Sequence, residues 1–224
     1  MKILVTAGNT LTPIDKVRAI TNIFSGKTGT LIALEAWRRG HAVCLLTSHP
    51  EVVSNLVPDF SPSAETWEAL SYRTFDNLQT LMREKITSGR FDAIVHCAAV
   101  SDYRVEGVYS SPDRPPLPEI AGKVKSRHAE LWLKMVPTPK LIDLIRSEWG
   151  FRGRLVKFKL EVGVGRDELI AVATRSRQES DADFVVANTL EEMTRIAYLG
   201  DRTDRFEEVV RMSLPRRLLE RLEE

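Results

Sequence analysis

Two cysteines, four histidines and no apolar run near the ~18 residues of a membrane span leave this 224-residue chain outside several classes at once. Two cysteines are too few for a disulfide framework. Cys44 and Cys97 each lie in an apolar strand-like run, Val43 to Leu46 and Ile94 to Ala99, so buried free thiols and a reducing, cytoplasmic compartment are expected. His41, His49, His96 and His128 are scattered without metal-ligand spacing. An excess of either charge is missing too: 32 Lys and Arg against 31 Asp and Glu give a net charge of +1, with no field favouring nucleic acid or an anionic membrane. Met1-Lys2-Ile3 enters a strand directly rather than a signal-peptide pattern. Two nucleotide motifs are absent as well. Gly26-Lys27-Thr28 would end a Walker A pattern, but Thr21 stands where its first glycine is needed. Ala7-Gly8-Asn9-Thr10-Leu11-Thr12-Pro13 has one glycine where the dinucleotide fingerprint needs three.

What is present is an alternation of buried strands and helices. Hydrophobic residues make up 43% of the chain, enough for one sizeable core. Ile3-Leu4-Val5, Ala42 to Leu46, Phe91 to Ala98, Leu155 to Leu160 and Phe184 to Ala187 read as strands buried on both faces. Helical spacing runs from Ser25 to Arg39, from a capping Asp76 to about Ser88, from Pro139 through Leu141, Ile142 and Ile145, from Asp167 to Ser180, and from Pro215 to Leu222. Strand, helix, strand at the start predicts a parallel βαβ unit and hence an α/β fold. Residues 48–65 read as a loop with one helical turn at Val52 to Leu56, and Ser71 to Thr74 as a short strand. Pro112, Pro115, Pro116 and Pro118, with Gly107 and Gly122, predict a mobile flap over 106–122, about 104–127 with its flanks. Beyond it, Lys123-Val124-Lys125 and Leu131 to Met135 alternate and predict an antiparallel arm.

The most informative stretch connects the first strand to the first helix, from Ala7 to Gly29. Connections of that length are uncommon and usually functional. Its exit at Ser25-Gly26-Lys27-Thr28 presents backbone N–H groups and a positive dipole end, the ingredients of a phosphate site. Pro13-Ile14-Asp15 makes a turn, and Arg18 and Asn22 place a guanidinium and an amide four residues apart.

In these residues the chain resembles the phosphopantothenoylcysteine synthetase family, the phosphopantothenate-cysteine ligases of coenzyme A biosynthesis. The family's opening looks like G-x-T-x-x-P-[IL]-D-x-V-R-x-I-[ST]-N-x-S-S-G-K-x-G. Here it is matched by Gly8, Thr10, Pro13, Ile14, Asp15, Val17, Arg18, Ile20, Thr21, Asn22, Ser25, Gly26, Lys27 and Gly29. Ala98-Ala99-Val100-Ser101-Asp102-Tyr103-Arg104, Lys123-Val124-Lys125-Ser126, Leu131 to Pro139, Phe158 with Glu161, and Asp183 to Asn188 resemble further family segments, so nearly the whole chain is covered. Departures are Asn9, Leu11-Thr12, Phe24 and Lys157.

The resemblance implies a single synthetase domain over residues 1–224, a Rossmann-like three-layer sandwich with a mainly parallel sheet and a small antiparallel dimerisation arm. It implies a homodimer acting on phosphopantothenate, cysteine and CTP or ATP, with Mg2+, and without the flavoprotein decarboxylase half or flavin. A carboxylate would be activated to an acyl-nucleotide with release of pyrophosphate, then attacked by the cysteine amine. This needs charge neutralisation on a triphosphate rather than a protein nucleophile. The implied catalytic residues are Asn22, holding the acyl group, and Lys123, stabilising the α-phosphate. Arg18, Asn22 and Ala99 would bind the substrate; Gly8, Thr10, Ser25, Gly26, Lys27, Ala98, Asp102, Lys123, Lys125 and Phe158 would bind the nucleotide. Read without the resemblance, Lys123 is a solvated flap lysine, Asn22 a turn residue, Arg18 the surface partner of Asp15, Asp102 a cap or turn residue and Phe158 a core aromatic. Two rivals remain. One is a diverged nucleotide binder without ligation. The other is an atypical NAD(P) protein, but its Tyr-x-x-x-Lys pair is missing, since Tyr72, Tyr103, Tyr109 and Tyr198 are followed four residues on by Asp76, Gly107, Asp113 and Arg202.

Overall fold

The computed structural model describes residues 1–117, 122–126 and 128–224. Its centre is an eight-stranded sheet built from β1 (Lys2–Ala7), β4 (Ala42–Thr47), β5 (Trp67–Ser71), β6 (Ala93–His96), β9 (Arg154–Glu161), β10 (Phe184–Thr189), β11 (Ile196–Asp201) and β12 (Phe206–Val210). The spatial order is β12-β11-β10-β9-β6-β1-β4-β5. Pairings from β5 across to β10 are parallel, and β11 and β12 add antiparallel to that edge. The α/β, mainly parallel reading is borne out.

The inner strands are apolar on both faces because helices cover both. On one face α1 (Lys27–Arg38), α2 (Glu51–Leu56) and α6 (Leu214–Glu223) pack on Ile3, Val5, Val43, Leu45, Val156 and Val186. On the other, α3 (Phe75–Ser88) and α4 (Leu141–Ser147) pack on Leu4, Cys44, Leu46, Ile94 and Leu155, and α5 (Arg166–Glu179) packs on Val185 and Ala187. Burying each of these aliphatic side chains contributes about 1.5–3 kcal/mol. No helix among the described residues is long and apolar enough to cross a membrane.

Several expectations are corrected. The long first connection contains a hairpin, β2 (Leu11–Pro13) paired with β3 (Ala19–Thr21), and α1 begins at Lys27 rather than Ser25 because Gly26 is its left-handed N-cap. The strand expected at Ser71 to Thr74 lies earlier, at Trp67–Ser71. Glu68 is tolerated on this edge strand because Lys85 pairs with it at 2.5 Å. Thr74, not Asp76, caps α3: its extended backbone lets it exchange hydrogen bonds with Asn77 in a capping box. Residues 103–109 form β7 (Tyr103–Tyr109), so the start of the flap expected over 104–127 is strand, and residues 118–121 and 127 of that span lie outside the described residues. The arm exists, but β8 (Trp132–Pro137) pairs with β7 and not with Lys123-Val124-Lys125; a bulge between Val105 and Gly107 leaves Glu106 as the extra residue, while Gly107 pairs with Lys134. The strands β11 and β12 went unread altogether.

Candidate active site at the carboxyl end of the sheet

Strands β1 and β6 are neighbours whose helical crossovers lie on opposite faces, so their carboxyl ends part. That is where an open parallel sheet binds ligands. Gly8 follows β1 with φ +93°, and a Cβ there would lie 2.1 Å from Ser48 Oγ. Gly26 has φ +80°, and its Cβ would lie 2.2 Å from the Gly8 nitrogen. Two glycines therefore let α1 start directly against the end of β1, backbone on backbone. The first helical bond runs from Thr30 N–H to Gly26 C=O at 3.0 Å, which leaves the N–H groups of Lys27 and Thr28 ahead of the ladder.

A cleft of about 840 Å³ opens there, a size suited to a small molecule. Its lining joins the start of α1 (Ser25 to Thr28), the strand ends (Gly8, Cys97 to Ala99, Phe158 to Leu160, Asn188) and the C-terminal segment (Arg211, Met212, Pro215). Among the described residues, the charged lining residues are Lys27, Lys159 and Arg211, with no carboxylate. Lys159 is paired with Glu161 at 2.9 Å. The described residues contain no group of His, Cys, Asp and Glu suited to a metal ion.

Of the sequence-predicted residues, Gly8, Ser25, Gly26, Lys27, Ala98, Ala99 and Phe158 converge on this cleft. Asn22 lies at its mouth: the side-chain amide donates to the Ala99 carbonyl at 3.1 Å, beside the lining residue Ile23. Asn9, a departure from the family pattern, holds Asn22 in turn, its Nδ2 donating to the Asn22 carbonyl at 2.5 Å while Oδ1 accepts from Ser48 Oγ. Thr12, another departure, donates to Ser101 Oγ at 3.0 Å. Phe24, a third, lines the cleft. Thr10 does not line it: the residue is buried, and Oγ1 accepts Ser101 N–H at 2.8 Å.

Arg18 takes up the ion pair with Asp15. Its Nη2 lies 2.6 Å from Asp15 Oδ2 and also donates to the Val124 carbonyl at 2.8 Å. The Asp15 carboxylate, its side chain closed to solvent, further accepts the N–H groups of Val17, Arg18 and Val124. The Arg18 guanidinium holds the Asp15 carboxyl well below the usual carboxylate range. The result is a clip fixing the Lys123-Val124-Lys125 segment to the first loop, with Val124 buried and Lys123 and Lys125 exposed outside the cleft lining. Asp102 is likewise exposed and outside it; its carbonyl accepts Thr138 N–H at 2.9 Å.

Beneath the strand ends lie two buried bases. His96 Nδ1 is 2.9 Å from Thr6 Oγ1, and burial, helped by Lys157, pushes its pKa down to about 4. Lys157 Nζ donates to the Ser176 carbonyl at 2.7 Å and to Ser180 Oγ at 2.6 Å; burial brings it down to about 8. Reading the sequence assigned no role to Asn188 or Arg211. Asn188 ends a quoted motif, whereas Arg211 carries no local signal.

Residues 1–206 match the family model described as the DNA/pantothenate metabolism flavoprotein C-terminal domain. The chain belongs to this family. The resemblance to the phosphopantothenoylcysteine synthetases is thereby borne out at family level. The coenzyme A biosynthesis bifunctional protein CoaBC of Thermococcus kodakarensis is 35% identical over 189 residues, covering 84% of this chain and 41% of the relative. The chain thus spans about two fifths of that protein. The crystal structure of the DNA/pantothenate metabolism flavoprotein from Streptococcus pneumoniae superposes with a TM-score of 0.82 at 27% identity, covering 100% of this chain and 98% of the other. A Cab2 variant in complex with phosphopantothenate-cysteine matches with a TM-score of 0.74 at 18% identity, over 99% and 86% of the two chains, a likeness of fold.

Proposed function

We propose that the chain, as one synthetase domain over residues 1–224, joins 4′-phosphopantothenate to cysteine through an acyl-nucleotide made from CTP or ATP. The observation that carries this is the convergence of distant motif residues on one cleft mouth, with the Asn22 amide on the Ala99 carbonyl and the Gly26 helix start against Gly8. The family membership and the likeness to a fold crystallised with phosphopantothenate-cysteine support it. In this reading Asn22 holds the acyl group for attack by the amine, its amide interacting without added charge. Ala98 and Ala99 let the substrate approach the backbone, Phe158 walls the base, and Ser25 to Lys27 receive phosphate. Lys123, presented by the Asp15–Arg18 clip, neutralises the α-phosphate, with Lys125 beside it. Magnesium fits as an ion carried by the triphosphate oxygens, since the cleft offers no carboxylate among the described residues. A homodimer is expected through the β7–β8 arm, where Tyr103, Trp132 and Met135 are exposed, and the compartment is expected to be the cytoplasm.

The test is to incubate the protein with phosphopantothenate, magnesium and CTP or ATP, with and without cysteine, and to measure pyrophosphate and nucleoside monophosphate. Pyrophosphate release with either nucleotide supports the ligase, and its absence under every condition refutes it. Asn22→Asp is expected to accumulate acyl-nucleotide, whereas Lys123→Gln should lower its formation about 10²–10³-fold. Wild-type rates in both variants would remove these assignments.

A further inference from the structure

Arg211 lies in the short 3-10 turn (Arg211–Ser213) that joins β12 to α6, and the ligase reading gives it no task. Its Nη2 donates to Thr28 Oγ1 at 2.6 Å, so the guanidinium reaches the first turn of α1. Its Nη1 is buried and has no hydrogen-bond partner among the described residues. Among the described residues no carboxylate lines the cleft to balance it. The thiol of Cys97, the acidic group that bears on Arg211, stays neutral, because burial pushes its pKa up to about 12. A half-buried cation with an unfilled donor and no counter-ion is costly. At amino ends of helices the same shortage is met by anions. Here the two coincide: the N–H groups of Lys27 and Thr28 stand ahead of the helical ladder, and Arg211 is tethered to Thr28 itself. Phosphate suits this arrangement, since its several oxygens accept from a guanidinium fork and from backbone N–H groups together.

We propose that Arg211 is a phosphate-binding residue of the cleft. When a phosphorylated substrate occupies the site, the guanidinium turns from Thr28 and gives its unfilled donor to a phosphate oxygen at the start of α1. The identity of the substrate rests on the ligase reading, in which the nucleoside triphosphate and phosphopantothenate share this chemistry; the site itself does not.

Calorimetric titration of the full chain tests it with CTP, ATP and phosphopantothenate, each beside its unphosphorylated counterpart: cytidine, adenosine and pantothenate. Arg211→Met is expected to weaken at least one phosphorylated ligand about tenfold to a hundredfold, to spare its counterpart, and to flatten the salt dependence. Arg211→Lys, which keeps the charge and the aliphatic stem, should recover part of the loss and serves if the methionine variant does not fold. Loss confined to CTP and ATP assigns the contact to the nucleotide; loss confined to phosphopantothenate assigns it there. Unchanged affinity of both variants for every phosphorylated ligand, equal losses for the unphosphorylated counterparts, or a wild-type protein that binds none of the three overturns the proposal. Wild-type binding without pyrophosphate formation sinks the ligase reading and leaves Arg211 standing.

Discussion

The two ends of the central sheet treat charge in opposite ways. At the amino end, ion pairs are dense. Asp183 accepts Leu155 N–H at 2.7 Å, Arg146 at 2.7 Å and Arg202 at 2.6 Å. Asp201 takes Arg221 at 2.6 Å, and Glu223 joins both Arg39 and His41. At the carboxyl end, the cleft has cations in its lining and, among the described residues, no carboxylate. Pairing there is sparser: Lys159 meets Glu161, and the Asp15–Arg18 clip holds a loop rather than filling the cleft. The contrast is one of degree within one sheet: charges paired at one end tie helices to strands, and at the other Arg211 keeps a buried donor unfilled among the described residues.

Breaking the clip should have the largest effect. Asp15→Asn weakens the hold on Arg18 and Val124, and a displaced Lys123 segment is expected to slow pyrophosphate release about a hundredfold; a wild-type rate would separate the clip from catalysis. At the opposite end, Asp183→Ala should lower stability by about 3 kcal/mol in urea denaturation while turnover per folded molecule is kept. Loss of turnover in the folded variant would end the division between the two ends. A pH series sharpens the comparison further. Folded His96 refuses a proton down to about 4, whereas the unfolded chain takes one below 6.5, so stability falls as the pH drops through that window. The group's share is about 2 kcal/mol at pH 5 relative to pH 7. His96→Gln should flatten that difference, and an unchanged slope would contradict the assignment. The smallest effect belongs to Glu223, whose pKa Arg39 and then His41 hold down to about 2 from 4.5. Its contribution is present above 4.5 and is lost as the pH falls towards 2. With its side chain 29% exposed, Glu223→Gln should cost below about 1 kcal/mol at neutral pH, read as a small drop in melting temperature.

The parallel half of the fold was legible because strands covered on both faces are continuous apolar runs, such as Ala42 to Leu46 and Ala93 to Val95. The antiparallel edge was not. Gly200, Glu207 and Glu208 interrupt the pattern of β11 and β12, and β7 is a largely exposed strand running into a proline-rich stretch. For the site, the spaced motif named the residues that share the cleft, Gly8, Gly26, Ala98 and Phe158 among them. Partnership between distant residues was invisible, unlike the local pair of Asp15 and Arg18. Asp15 reads as a turn residue until Val124 is brought against it from 109 positions away, and Arg211 has no assigned role until it meets Thr28, 183 positions away. The departures at Asn9 and Thr12 proved to be ties between loops, a role that no local spacing encodes.

Those separations also bear on time. The strand–helix–strand unit of β1, α1 and β4 closes within the first 47 residues, whereas the clip must wait for Val124 and the Thr28 contact for Arg211. Contacts so distant in sequence form late, after the loop-closure entropy has been met. On a ribosome adding about 5–20 residues per second, the segments of that first unit emerge well before residue 211, and the cleft acquires its full set of cations only once that residue has followed.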